Sequence, residues 1–506
     1  MNHLKRNIIA NFVGSGWTAI AGLVFVPFYI KFMGIAAYGL VGFFVTLQTV
    51  ILLLDLGLST TLNREMAKYS AISGSEQKAR DMVRTLETIY WGIAIVLGLL
   101  MVLLAPLIST KWISSESLSA DTVQNAVLLM GLSLALQFPF ALYSGGLLGL
   151  QRQVSYNSIV IFTATVRGVG AILVLWLISP TIVAFFSWQI VVSILQTALG
   201  ALLLNRALPN TGARARFRKY LLREIWRFTA GLSGIGILAV ILTQMDKIVL
   251  SKMLPLETFG YYTLASVIAS GFFVIIGPFF LAIFPRFSQL VAARAESQIK
   301  PLYHHGCQLM SVVLLSIAIT AIFFSREIIF LWTRNADVAA QTYLLASMLI
   351  TGTVLNGMYN LPYALQLAHG WTRLAFFQNL GAVILLFPGL LVATSIFGAS
   401  GAAAVWIIVN ASYVTIGIQF MHRRLLRKEK LRWYYQDVGL PLLGALSVGI
   451  VARLLFPANA SNLVIMALIF LIFVATLTFS SLITPYTRNL ISKISLPVIA
   501  FLKNAN

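Results

Sequence analysis

Few residues in this chain could do chemistry, and the most isolated is Arg167. It stands in the middle of an apolar stretch running from about 157 to 178. A charge at the centre of a bilayer costs roughly 2.5–3.5 kcal/mol on insertion scales, so such residues face a cavity or a partner. A planar guanidinium can grip phosphate oxygens through two parallel N–H···O bonds, which makes anion binding one reading. The other is a structural ion pair with Asp55 or Asp246.

Asp246 and Lys247 are neighbours in another apolar stretch and point about 100° apart on a helix, so one partner cannot take both. Asp246 follows Thr243 and Gln244; it suits a coupling proton or cation, or an anchor for a basic residue elsewhere. Lys247 is placed to snorkel toward the interface. Asp55 precedes Gly57, Ser59, Thr60 and Thr61, more than two helical turns before Arg64, so a direct pair there is not expected. It faces either a cavity or another helix. Arg64 and Arg286 close two apolar runs on one side of the membrane, as anion-receiving groups at a mouth or as simple charge anchors. Asn356 and Asn360 share a helix face, and Gln137 stands near Pro139. Such amides suit a hydroxyl-rich ligand or glue helices together. One cysteine, Cys307, rules out an intramolecular disulfide, and five scattered histidines show no metal-ligand spacing. His304 and His305 read as solvated residues of a polar connection.

The elements that hold these residues are transmembrane helices. The chain is 59% hydrophobic and 10% charged, with mean hydropathy +0.89. About fourteen apolar runs are long enough to cross a hydrocarbon core of about 30 Å, predicting an all-α polytopic membrane protein. With the N-terminus taken as cytoplasmic, 28 of the 36 Lys and Arg fall on the cytoplasmic face and six on the other. That bias follows the positive-inside rule and places both termini in the cytoplasm. The net charge of +21 is therefore topological, and no nucleic-acid partner is implied. Basic loops at 205–227 and 422–432 meet anionic headgroups as a by-product.

The chain also echoes itself. Lys31…Tyr38-Gly39 returns as Lys252…Phe259-Gly260, and Gly149…Arg152 as Gly370…Arg373, both 221 residues on. Six crossings separate the copies, so the repeats are parallel. The echo predicts a six-helix bundle over 1–206, a basic linker over 207–226, a second six-helix bundle over 227–424, and two further spans with a tail over 425–506. Internal repeats are the ground plan of many secondary transporters. No stretch outside the membrane is long enough for a catalytic or nucleotide-binding domain, and no GxxxxGK[ST] element occurs.

Pro27-Phe-Tyr-Ile-Lys-Phe-Met-Gly34 with Tyr38-Gly39, then Asp55-Leu-Gly-Leu-Ser-Thr-Thr-Leu-Asn-Arg64-Glu65, resembles the O-antigen and polysaccharide flippases. So does Gln244-Met-Asp246-Lys247 through Lys252, followed by Phe259-Gly260-Tyr261-Tyr262. These belong to the multidrug/oligosaccharidyl-lipid/polysaccharide exporter (MOP) superfamily. The resemblance implies two bundles in a V that opens alternately to each side of a bacterial inner membrane. It implies an undecaprenyl-diphosphate-linked oligosaccharide as cargo, membrane lipid around it, and polysaccharide polymerase and chain-length proteins as partners. No resident cofactor and no catalysed reaction are expected; a proton or Na+ is the candidate coupling ion. Lipid II flippases carry arginines in the first helix and many drug antiporters a carboxylate; the run from Ile8 to Ile30 has neither. The alternatives are a cation-coupled multidrug antiporter or a lipid II flippase, and, from another class, a polytopic glycosyltransferase.

Overall fold

The computed structural model describes residues 2–457 and 460–493, without the side chains of 2–5, 8, 224, 226–237 and 239. The expected tail from 494 onward lies outside the described residues. The fold is all-helical: α1 (Asn2–Val24), α2 (Val26–Ile51), α3 (Leu58–Tyr69), α4 (Glu76–Leu107), α5 (Ala120–Gln137), α6 (Phe140–Gly149), α7 (Gln153–Leu177), α8 (Ile182–Ala207), α9 (Lys219–Met253) and α10 (Leu256–Ser270). There follow α11 (Phe273–Ala292), α12 (Glu296–Phe323), α13 (Ser325–Thr333), α14 (Ala336–Ala368), α15 (Thr372–Ser412), α16 (Ile418–Arg424), α17 (Lys430–Arg432), α18 (Leu440–Leu455) and α19 (Asn462–Ile483). The protein is a multi-pass membrane protein. Among the described residues eleven helical stretches are long and apolar enough to span, against the fourteen expected. Length and composition alone merge what the backbone separates: Gly34 (φ 83°) breaks α2 and Gly398 (φ 59°) breaks α15, both where turns were expected.

The chain divides into two compact units, Met1–Gly260 and Tyr261–Asn506. In the first, α1 lies along α7. Gly14 leaves room for the Asn157 side chain, whose Nδ2 donates to Asn11 Oδ1 at 2.7 Å. Trp17 Nε1 donates to Thr165 Oγ1 at 2.9 Å. α3 packs on α6 through Gly145 and Gly149, where a β carbon would strike the backbone of Ser59 and Asn63. Lipid offers helices little hydrophobic drive to associate, so small residues that let backbones approach do this work.

At the end of this unit where α2 turns at Gly34, the repeat glycines meet. A β carbon on Gly39 would press on the Leu256 carbonyl, and one on Gly260 on the Ile35 carbonyl. The two contacts are reciprocal, each copy's glycine against the other copy's turn. The segment after α4 clamps the same place. Leu256 N donates to Ser114 O at 2.8 Å, and Trp112 Nε1 to Ser251 Oγ at 3.1 Å. Glu257 accepts from Ser115 Oγ (3.0 Å) and Ser117 Oγ (2.6 Å).

The other echo is displaced. Gln151 (φ 58°) and Gly370 (φ 66°) occupy the same left-handed position in two matching helix ends. Arg152 N bonds Leu147 O at 2.9 Å, and Trp371 N bonds Gln366 O at 3.0 Å. The geometric match thus runs 219 residues apart, and Arg152 corresponds to Trp371 rather than Arg373. The basic linker is strapped to α4. Arg216 N donates to Asp81 Oδ1 at 2.8 Å, Arg218 Nε pairs with Oδ2 at 3.3 Å, and Arg218 N donates to Thr85 Oγ1 at 2.9 Å.

In the second unit α14 is central, packed by α11, α12, α13 and α15, while α18 and α19 pack on α12.

Candidate functional site

Arg167 is carried by α7 and half-buried inside the first unit. α8 presents Gln189, Ser193 and Gln196 on one face, all buried. Arg167 Nη1 donates to Gln189 Oε1 and Nη2 to Gln196 Oε1, each at 3.0 Å. Gln196 Oε1 also accepts from Gln137 Nε2 (3.2 Å), and Gln137 Oε1 from Gln48 Nε2 (3.0 Å). Four helices, α2, α5, α7 and α8, thus meet in one amide chain ending at a guanidinium. α5 and α8 are locked beside it by Ser133 Oγ to Ser193 Oγ at 2.9 Å.

Among the described residues the site contains a charge but no counter-charge. Among the described residues no carboxylate pairs with Arg167, so the expected alternative of a structural pair with Asp55 is not what the structure shows. Two of the five guanidinium N–H donors are held by neutral amides, which orient the fork without neutralising it. An oxyanion is the ligand such a group is equipped to bind.

Asp55 is used inside its own bundle. It accepts from Ser59 N (3.2 Å) and Ser59 Oγ (2.8 Å) and takes a further hydrogen bond from the Tyr90 hydroxyl of α4. It caps the start of α3, after the left-handed Leu56 and Gly57. Its interhelical partner is a phenol rather than a cation. Arg64 holds Glu65 at 2.6 Å, while Arg286 is exposed and donates to Gln289 Oε1 at 3.2 Å. Asp246 and Lys247 are half-buried near the end of α9. Lys247 makes no ion pair among the described residues. Asn356 Nδ2 donates to Asn410 Oδ1 at 2.8 Å, tying α14 to α15, while Asn360 Oδ1 is buried with no hydrogen-bond partner among the described residues. Of the other eight candidates, Gln137 is the one whose hydrogen bonds among the described residues join it to Arg167 in one network.

One cluster contradicts its sequence reading. His304 is fully buried, not solvated, with Nδ1 2.5 Å from Asp437 Oδ2 and Nε2 3.2 Å from Glu429 Oε2. Gln308 Nε2 donates to Asp437 Oδ1 at 2.9 Å, and Lys300 pairs with Glu429 at 3.3 Å. Burial alone would raise the Glu429 carboxyl, but hydrogen bonds and charge from Lys300 and His304 outweigh it and hold it below its ordinary value. The signal was His304, Gln308 and Cys307 at helical spacing facing Asp437 across 130 residues, a proximity no local pattern reveals.

The profile of the family described as polysaccharide biosynthesis protein matches residues 4–291. No curated protein sequence matches the chain. Among solved structures, the lipid II flippase MurJ in an inward-closed conformation superposes with TM-score 0.71 at 15% identity, covering 96% of this chain and 99% of that one. An inward-facing multidrug resistance MATE transporter of the MOP superfamily gives 0.66 at 13% identity, over 80% and 94%. A MOP superfamily transporter from Pyrococcus furiosus, described as having a binding pocket of reversed polarity, gives 0.52 at 13% identity, over 84% and 95%. At these identities the likeness is one of fold.

Proposed function

Since this chain belongs to the family described as polysaccharide biosynthesis protein, we propose that it flips an undecaprenyl-diphosphate-linked oligosaccharide across the bacterial inner membrane, from the cytoplasmic to the outer leaflet. The observation that carries this reading is the uncompensated guanidinium of Arg167, held in place by Gln189 and Gln196. A diphosphate crossing hydrocarbon needs a cation, and a fork fixed by amides meets it at low reorganisation cost.

The glycan then follows the diphosphate, and the polyprenyl tail remains in lipid. Arg64 and Arg286 are each offered as a headgroup contact on the cytoplasmic side, where both termini also lie. Gln137 in the first unit and Asn356 and Asn360 in the second are each offered as amides for the glycan's hydroxyls, and Asp246, Asp55 and Lys247 are the groups through which a proton or Na+ would couple. Energy comes from such a gradient or from a polymerase and chain-length apparatus consuming the product outside. A cationic drug is disfavoured as cargo by the same Arg167 charge.

Vesicles containing the purified protein and a fluorescent undecaprenyl-diphosphate oligosaccharide test this directly. Headgroup inversion with no covalent change is expected. Glycan extension without inversion would replace a flippase by a glycosyltransferase.

A further inference from the structure

A second polar cluster lies wholly within the second unit, and neither Arg167 nor the ion pairs involve it. α14 presents Tyr359, Tyr363 and Gln366 at i, i+4 and i+7, with Asn360 three residues before Tyr363 on the neighbouring stripe. Tyr359 stacks on Tyr413 of the following π-helical segment, with centroids 5.6 Å apart and planes 21° apart. On its other side come Tyr363 at 6.5 Å and 29°, then Phe280 of α11 at 6.3 Å and 28° from Tyr363. The rings form a stepped row with roughly parallel faces.

Hydrogen bonds fix this row. Gln366 Nε2 donates to the Tyr359 hydroxyl, and that hydroxyl donates to Gln378 Oε1, each at 2.8 Å. The Tyr413 hydroxyl donates to Asn379 Oδ1 at 3.2 Å. The backbone cooperates, because Tyr413–Gly417 is π-helical, a rare widening that recurs at functional sites. At Gly417 a β carbon would lie 2.9 Å from the Tyr359 ring and 2.5 Å from Gln378 Nε2, so only glycine leaves the pair in place.

Three features are unexplained by packing. Asn360 Oδ1 and Gln366 Oε1 are buried acceptors with no hydrogen-bond partner among the described residues. Tyr363 is half-exposed, sits at the outer limit of ring contact on both sides, and its hydroxyl makes no hydrogen bond among the described residues. A buried acceptor left without a donor is a standing cost that native structures seldom carry without a use.

We infer that this row is a binding subsite for neutral pyranose rings of the transported glycan. Pyranose C–H groups carry partial positive charge and lie flat on the negative face of an aromatic ring. Their hydroxyls supply the donors that Asn360 and Gln366 lack. The polar groups of the cluster are amides and phenols throughout, so it selects uncharged hexoses and N-acetylhexosamines over uronic acids. The inference rests on the flippase reading for its ligand. It goes beyond that reading in giving this chain a preference among glycans that Arg167 cannot supply.

The test compares binding of undecaprenyl diphosphate with that of undecaprenyl diphosphate bearing a neutral hexose trisaccharide, using the full-length protein in nanodiscs and native mass spectrometry. The wild type is expected to prefer the glycosylated form by roughly tenfold, the worth of one or two stacking and hydrogen-bond contacts. Tyr363→Leu and Asn360→Ala each remove a group that makes no hydrogen bond among the described residues, so both variants should fold, with melting temperatures measured alongside. Both are expected to cut the preference by at least half, and Tyr363→Leu to leave the bare carrier's affinity unchanged. Tyr363→Phe, which keeps the ring, retains most of it. A wild type that binds both forms equally, or variants with the full preference, would overturn the subsite and leave the flippase reading intact. If neither form binds, the flippase reading falls and the subsite falls with it.

Discussion

Replacing Arg167 separates a substrate contact from helix glue, because the structure sets the two costs apart. Arg167→Met removes two charge-assisted hydrogen bonds, to Gln189 and Gln196, each about 1.5–3 kcal/mol. It also removes a charge whose placement in the membrane costs roughly 2.5–3.5 kcal/mol. The two nearly offset, so the fold should lose only about 0–3 kcal/mol, a modest fall in melting temperature. Flipping should fall much further. A diphosphate that loses a bidentate guanidinium loses about 1.5–3 kcal/mol or more of stabilisation, a factor of roughly 10 to 150 in rate. Arg167→Lys keeps the charge but cannot span both glutamines and a phosphate, so it should lie between the two. The assay is the initial rate of headgroup inversion in vesicles, normalised to folded protein, with thermal melts alongside. Wild-type inversion in either variant, or inversion lost only in proportion to the melt, would refute phosphate binding by Arg167.

Four further outcomes follow from contacts elsewhere. Asp81→Ala frees the basic linker from α4, so limited trypsin should cleave between Arg214 and Lys219 faster than in the wild type, while unchanged cleavage would deny the strap. Gly149→Val drives a β carbon into Met66 Cβ, 2.7 Å away, and should cost about 1–3 kcal/mol by melting, whereas Gly92→Ala, with nothing within 4 Å, should cost nothing. Asp437→Ala leaves the buried His304 without its hydrogen-bond partner, and about 1–3 kcal/mol of stability should go with it; a wild-type melt would show the cluster to be inert. The Glu429 carboxyl is depressed in the folded protein, so its stabilisation is complete above its unfolded value of about 4.3 and is lost as pH falls through the lower folded value. Glu429→Gln should therefore flatten the stability loss below about pH 4.5, and an unchanged acid limb would count against the Lys300 pair.

What could be read ahead of the structure was whatever depends on local pattern. Apolar length marks spans, so the helices and the turns at Gly34, Pro180 and Gly398 stand where composition puts them. Arg167 stands out because a charge among apolar neighbours is visible without coordinates. Its partners do not, since Gln189 and Gln196 lie a full helix away and glutamine in a helix announces nothing. The His304 cluster escapes local pattern for the same reason. Two adjacent histidines near basic residues look solvated until α12 and the segment around Asp437 are brought together. The inner-turn echo in residue types lies two residues off the structural register, because the shared feature there is a left-handed backbone that Gln151 and Gly370 both supply.

The meeting of Gly39 and Gly260 carries one more consequence. Each glycine is the clearance for the other copy's carbonyl, so the two positions form a mutual mould rather than two independent sites. A methyl group added at either one displaces the same joint, and adding both should cost less than twice one alone. Duplicated segments are free to diverge wherever each touches only its own surroundings, as the inner turns have done. Where one copy is the tooling against which the other is cut, they are held to a common shape, and the repeat stays legible there.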